Sequence, residues 1–363
     1  MKKRINTGGL EFLAMGAGGM TPSGPIGQKL LSAGMDTSVL KPYIGDDGYT
    51  YMTRLVNGKF QAIRINANAT LRKDEWKQLD DAVLFAAQER LVGVADLYSR
   101  NLVYRIGNGL GKTVLEYEDV GSLTDAELTM DAVTPTVRDR IEYSLKYLPL
   151  PIIHKDFSYN ARVLAASRNG NTPLDTTTAM LAARQVSEKV ETILFQGASS
   201  YAYGGGTLYG YVDFPSVNDV TLTANWDASA KTGEDILDDV RAMKQASIDA
   251  KHYGPWVLYV PTAYETVLDD DYKAESDKTI RQRILEIAGI TEVKVVDKLT
   301  ANNVLLVQMT SDVVRMVEGM ALQTIEWQEG GGFTTNFKVL TIMVPQIRAD
   351  QDGNCGVTLL KAA

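Results

Sequence analysis

Two histidines, His154 and His252, and one cysteine, Cys355, are the only imidazole and thiol groups this chain can bring to chemistry. The histidines stand about a hundred residues apart in unrelated contexts, and no HExxH-type spacing offers zinc a site. No serine occupies a G-x-S-x-G elbow. Asp269-Asp270-Asp271 could attract calcium or magnesium, yet such a run at a helix end is ordinarily solvated loop.

Two glycine clusters come nearer to a ligand site. Ile106-Gly107-Asn108-Gly109-Leu110-Gly111-Lys112-Thr113 looks like a phosphate loop, but the pattern needs glycine where Ile106 stands. It should also feed a helix N-terminus, whereas Thr113–Tyr117 reads as a strand. The spacing predicts a hairpin tip. In Gly204-Gly205-Gly206, Tyr209 stands where a dinucleotide fingerprint requires its third glycine, so this reads as a flexible surface loop. An α/β enzyme with a site beside Gly204–Gly210 would rest on that loop alone. The motifs therefore point to a protein that is not an enzyme and uses no cofactor or metal. Nucleic-acid reading modules are absent too, so any such contact would be sequence-independent and salt-sensitive.

Composition narrows the class further. The chain has 363 residues, 45% hydrophobic, enough for two domains or one elongated protomer of several parts. A single cysteine excludes an intrachain disulfide and suits a reducing compartment. No run is long enough to span a bilayer, and Asn6 to Glu11 interrupt any signal-peptide core behind Lys2-Lys3-Arg4. The expectation is a protein made and used without export. Residues 1–73 hold ten Lys/Arg against four Asp/Glu, so +6 there leaves −14 for the rest of a chain whose net charge is −8. A basic arm on an acidic body can lie on nucleic acid or on an acidic neighbour.

The elements that position these groups follow from periodicity. Residues 1–69 carry eleven glycines and no long helical period, with β-like pieces at Tyr49–Leu55 and Phe60–Ile65. Such an arm buries little by itself and needs another surface. Thr70 caps a helix whose Trp76, Leu79, Val83 and Ala86 share one face. Residues 102–141 read as a ribbon, marginal unless something covers it. Its strands are Val103–Ile106 and Thr113–Tyr117 around the Gly107–Gly111 turn. Thr172 as N-cap and Pro173 as first helical residue open a helix to Gln196, roughly 35 Å long, with Ala179, Ala183, Val186, Val190 and Ile193 on one stripe. Residues 198–328 read as an α/β body, with helices at Gly233–Ala250, Thr262–Leu268 and Ile280–Ala288. Its strands are Trp256–Val260, Glu292–Val296 and Val304–Gln308. Thr324–Trp327, Thr334–Val344 and Val357–Lys361 read as strands returning to the sheet of the earlier region.

In this order the elements resemble the HK97-type major capsid proteins of tailed phages and the related encapsulin shell proteins. The similarity runs from about Leu71 to the C-terminus. It rests on Asp74-Glu75-Trp76 with its helix, Leu148-Pro149-Leu150-Pro151 through Phe157, and Glu191-Thr192-Ile193-Leu194-Phe195-Gln196-Gly197, which is similar to the family's "E..iF.G" helix end. Leu208-Tyr209-Gly210 and Gly254-Pro255-Trp256-Val257-Leu258-Tyr259-Val260-Pro261, continuing to Tyr264 and Leu268, complete it.

The resemblance implies an α+β HK97-like fold. Residues 1–69 become an N-terminal arm, 70–101 the N-terminal helix and 102–141 the E-loop that rests on a neighbouring copy. Residues 142–197 become the peripheral domain with spine helix 173–196, 198–328 the axial domain, and 329–363 the peripheral return strands. It implies a shell of hexamers and pentamers around double-stranded DNA, assembled in a bacterial host's cytoplasm with a separate scaffolding protein, a portal and a decoration protein as partners. An encapsulin-like compartment holding a cargo enzyme is the alternative. Gly107, Asn108, Gly109 and Lys112 would form the tip of the E-loop, where it contacts the neighbouring copy. Lys2, Lys3, Arg4, Arg64, Arg72 and Lys73 would face packaged DNA. The N-terminal arm and the length, greater than a typical encapsulin's, favour the viral reading. Some family members join an E-loop lysine to a neighbour's asparagine; here Lys338 stands about where the asparagine belongs and Asn336 is only nearby, so that cross-link is not expected.

Overall fold

The computed structural model describes residues 43–44, 49–56, 59–64, 71, 73–88, 92–107, 109–120, 128, 143–163, 165, 176–273, 277–329 and 333–362. The chain divides into two units. The first is Met1–Thr113, Leu150–Glu191 and Met316–Val344; the second is Val114–Pro149, Thr192–Arg315 and Pro345–Ala363.

In the first unit, β1 (Tyr43–Ile44), β2 (Thr50–Val56) and β3 (Lys59–Arg64) form an antiparallel sheet within the segment read as an arm. The helix α1 (Lys73–Gln88) buries Leu79 and Val83, two members of the predicted face. A short helix, α2 (Val92–Ser99), follows, and nothing in the periodicity announced it as separate. Asn101, with φ of 59°, turns the chain into β4 (Val103–Arg105). A four-stranded sheet runs in the order β4, β14 (Val314–Glu329), β15 (Thr334–Ile347) and β7 (Ile153–Asn160). On β7 and β15, Phe157 pairs with Phe337 in register, with their rings stacked at 5.2 Å and Tyr159 edge-on to both. These rings fill the space that alternating inward positions leave on a half-buried strand pair.

The long helix α3 is Thr177–Gln196. Its buried stripe runs Ala179, Ala182, Ala183, Val186, Val190, small residues at the start and Ile193, Leu194 and Phe195 at the end. The expected start at Pro173 is corrected, because Thr176 is not helical; Thr172 and Pro173 lie outside the described residues. Gly197, at φ 73°, ends the helix in the left-handed conformation that glycine adopts without cost.

The second unit centres on a five-stranded sheet: β10 (Asn218–Leu222), β16 (Val357–Ala362), β13 (Val304–Gln308), β11 (Trp256–Pro261) and β12 (Ile290–Val296), in that order. All six residues of β11 and all five of β13 are buried, as continuous apolar strands covered on both faces must be. Ile236, Leu237, Val240 and Met243 of α4 (Gly233–Asp249) pack there with Trp226, Tyr264, Leu306 and Leu360. The helix opens with a capping box, Thr232 and Asp235 each accepting the other's backbone N–H. Two short helices, α5 (Glu265–Asp269) and α6 (Ile280–Leu285), complete the layer.

One assignment is overturned. Val357–Lys361 does not return to the sheet containing β7: β16 pairs parallel with β10 and antiparallel with β13. Its buried Val357, Leu359 and Leu360 fit the interior of this sheet, and an apolar strand alone does not state which sheet takes it. The boundary near residue 328 moves for the same kind of reason. β14 begins at Val314, and Met316–Glu318 already pair with β4.

Candidate assembly surfaces

The strands predicted on either side of Gly107–Gly111 exist, but they do not form a hairpin. β4 pairs parallel with Met316–Glu318 of β14, while β5 (Val114–Val120) pairs antiparallel with β6 (Tyr143–Pro149), a strand the sequence reading missed. The glycine run is a linker between the two sheets. Gly109 is buried, and a Cβ on it would overlap the backbone of Gly319 on β14. The expected tip is therefore corrected: Gly107 and Lys112 are exposed linker residues, Gly109 is packed within its own chain, and Asn108 lies outside the described residues. The ribbon is β5–β6, paired from Val114–Pro149 to Val120–Tyr143. The phosphate-loop reading fails on the same geometry, since a single 3-10 turn, Gly109–Gly111, leads into a strand.

Cross-strand pairing sorts the ribbon into two faces. Leu115 opposite Leu148 and Tyr117 opposite Lys146 share one; Glu116 opposite Tyr147, Glu118 opposite Leu145 and Val120 opposite Tyr143 share the other. Leu115 and Leu148 are buried, but Tyr143 and Leu145 remain 61% and 48% exposed. A two-stranded ribbon that leaves these two side chains exposed is marginal by itself.

The ribbon is held near its Val120–Tyr143 end. The Arg348 guanidinium and the Gln351 amide donate to the backbone carbonyls of Glu118 and Asp119, at 3.4 and 3.2 Å. Burial pushes the Tyr117 hydroxyl up to about 12, assisted by Asp119 and opposed by Arg348 and Arg315. Beside the ribbon lies the hairpin β8 (Ala198–Tyr203) and β9 (Gly206–Leu208). Its turn residues Gly204 and Gly205 have φ of 60° and 82°, the conformation a two-residue hairpin demands. A side chain at Gly204 would strike Val114, and one at Gly206 the Tyr147 carbonyl. The loop read as flexible surface is thus a tight turn packed on the ribbon.

Two of the buried carboxylates of the first unit, Glu318 and Glu191, had no role in the sequence reading. Glu318 of β14 accepts from the Tyr98 hydroxyl at 2.9 Å and from Arg105 Nε at 3.1 Å, and burial raises its pKa against the opposing pull of Arg105. Glu191 of α3 accepts the N–H groups of Gly93 and Val94. The only sequence signal for Glu191 was its place in the helix-end motif.

Of the residues expected to face DNA, Lys2, Lys3, Arg4 and Arg72 lie outside the described residues; Arg64 ends β3 and Lys73 opens α1. His154 is exposed, 3.5 Å from Asp156. Lys338 sits over the Trp327 ring, also 3.5 Å from Asp156, and Asn336 pairs with Ser158 in the sheet. Asp269 is engaged by Arg281. Among the described residues no three His, Cys, Asp or Glu side chains gather as a metal site, and no helix is long and apolar enough to cross a membrane.

Residues 66–359 match DUF6260, described as a family of unknown function. The chain is 24% identical over 243 residues to the type 1 encapsulin shell protein EncA of Myxococcus xanthus, covering 66% of this chain and 73% of that one. It is 23% identical over 239 residues to a diheme-cytochrome-encapsulin shell fusion protein of Kuenenia stuttgartiensis, covering 65% of this chain and 58% of that longer protein. Among solved structures, a virus-like particle from Pyrococcus furiosus aligns with TM-score 0.58 and 18% identity over 78% of this chain and 98% of its own. The capsid of Myoviridae phage XM1 aligns with TM-score 0.56 and 9% identity, over 72% of this chain and 89% of its own. The fold is HK97-like, the architecture of phage capsids and encapsulin shells.

Proposed function

The chain belongs to the DUF6260 family, and we propose that it is a major capsid protein, copied many times as hexamers and pentamers into an icosahedral shell around double-stranded DNA. The observation that carries this reading is the β5–β6 ribbon, on which Tyr143 and Leu145 are exposed among the described residues. Burying it on a second copy removes apolar surface from water at about 25 cal/mol per Å². A strand ribbon held at Glu118 and Asp119 by Arg348 and Gln351 can present those side chains at a fixed angle to a neighbour. Residues 102–141 then act as the E-loop only from β5 onward, and the five-stranded unit takes the axial role. A separate scaffolding protein and a portal are the partners that fit this role, with room for a decoration protein.

The basic N-terminal stretch favours DNA over a cargo enzyme inside the shell. Its +6 against an acidic remainder suits counter-ion release on a polyanion, with Lys2, Lys3, Arg4, Arg64, Arg72 and Lys73 turned inward. An encapsulin-like compartment is the second reading, favoured by the sequence likeness to encapsulin shell proteins. Purified particles decide between them. Nuclease-protected DNA, lost when the six basic residues are neutralised, supports the capsid; DNA-free particles holding a co-purified protein overturn it.

A further inference from the structure

Beside the ribbon, β8 is exposed at every residue from Ser199 to Tyr203, with Tyr201 and Tyr203 at 44% and 52%. Its foot is held by Asp213, whose carboxylate accepts the Gly210 N–H at 2.6 Å and the Ser199 N–H at 3.2 Å. Its turn sits on the ribbon, because a Cβ on Gly205 would touch the Tyr147 ring just as one on Gly204 would strike Val114. A strand fixed at foot and tip yet exposed between them presents its side chains at little entropic cost. The pairing jumps from Ala198–Leu208 to Ala202–Thr207, so Ser199, Ser200 and Tyr201 bulge out. Tyr203 stands opposite Gly206, whose Cβ would meet the Tyr147 carbonyl, so Tyr203 lies on the side of the hairpin turned to the ribbon. Tyr147, Leu145 and Tyr143 then alternate along one face of β6 for roughly 14 Å. Hairpin and ribbon thus carry one aromatic surface.

Resting on the assembly role given to the ribbon, we propose that the β8–β9 hairpin is the second half of the same docking surface. Tyr201 and Tyr203, with Tyr143 and Leu145, form one strip that seats on a second copy of this chain. Continuity with the ribbon face selects that occupant, since whatever covers Tyr143 and Leu145 also reaches the hairpin packed against Tyr147. Area supports the same choice. At the ~200 Å² an aromatic side chain can bury, the exposed parts of Tyr143 and Leu145 come to only about 200 Å², and Tyr201 and Tyr203 add about as much. One side of a standard interface buries roughly 800 Å². The hairpin therefore takes the strip from about a quarter to about half of what a lasting contact between copies needs. Tyrosine suits the place, having a broad apolar ring, few rotamers to freeze and a hydroxyl that tolerates water before assembly.

Hydroxyl-radical footprinting of the full-length protein tests the strip tyrosine by tyrosine, on particles and on protomers released by dilution. Because a packed interface excludes water, Tyr143, Tyr201 and Tyr203 should react roughly fivefold or more slowly in particles. Tyr143 protected while Tyr201 and Tyr203 stay reactive overturns the hairpin's part and leaves the ribbon's standing. The hairpin protected without Tyr143 overturns the single strip. Particles that protect neither, or a protein monomeric under every condition, overturn hairpin and ribbon alike. Tyr201 and Tyr203 already protected in the protomer, or protected only where a different protein has bound, overturn the second copy as occupant. Tyr201→Ser/Tyr203→Ser should raise the concentration needed for half-assembly by roughly tenfold or more, with the protomer's melting temperature unchanged. An unaltered assembly concentration in that variant also overturns the proposal. Should the variant fail to fold, the wild-type footprint decides alone.

Discussion

Gly109 and Gly319 lie backbone against backbone, so that a methyl group on Gly109 would overlap the Gly319 carbonyl. The contact ties the glycine linker to β14 just beyond the β4–β14 pairing, whose last pair is Arg105 with Glu318. Gly109→Ala forces either backbone to move, a strain of about 1–3 kcal/mol. Denaturant unfolding should show that loss, with Gly107→Ala, an exposed neighbour, costing far less.

Lys231 Nζ meets Asp239 Oδ2 at 2.7 Å, with the lysine side chain nearly buried, and Trp226 Nε1 donates to the same oxygen. Removing one partner strands a desolvated charge. Asp239→Ala is expected to destabilise the second unit by about 3 kcal/mol, and adding Lys231→Met should return much of that. A melt in which the double variant is no better than the single one contradicts this.

Arg105→Met leaves the Glu318 carboxylate buried with the Tyr98 hydroxyl alone. Glu318 already titrates above its ordinary range through burial, so its charged form carries the penalty. The variant should lose about 2–4 kcal/mol at pH 8 and regain most of it at pH 4, where the carboxyl is neutral. Equal losses at both pH values would show that packing, and not charge, is at stake.

Cys355 is fully buried and its thiol is pushed up to about 12, chiefly by burial. A thiol reagent at pH 8 should therefore label it only after denaturation. Rapid labelling of the folded protein would contradict the buried placement.

Much of the architecture was legible in local pattern. The 4-3-4 spacing of Ala179, Ala183, Val186 and Val190 marked α3, and the unbroken apolar runs of β11 and β13 marked buried strands. What local pattern does not contain is pairing. Val103–Arg105 and Val114–Val120 flank a glycine run that reads as a hairpin turn, but each finds its partner far along the chain, on β14 and on β6. The strand β6 was missed because Tyr143 to Tyr147 alternates weakly, with Leu145 exposed. Val357–Ala362 was read as a strand yet given to the wrong sheet, since its apolar residues suit either. No local pattern states that Glu191 and Glu318 are buried; only tertiary placement buries them.

The ribbon face offers the sharpest handle on the central proposal. Electron microscopy with sedimentation of the expressed protein, wild type beside Tyr143→Asp/Leu145→Asp, should show closed particles for the first and folded, unassembled protomers for the second. Closed particles formed equally well by both proteins, or a wild type that stays monomeric under every condition tried, would contradict a shell built on that face.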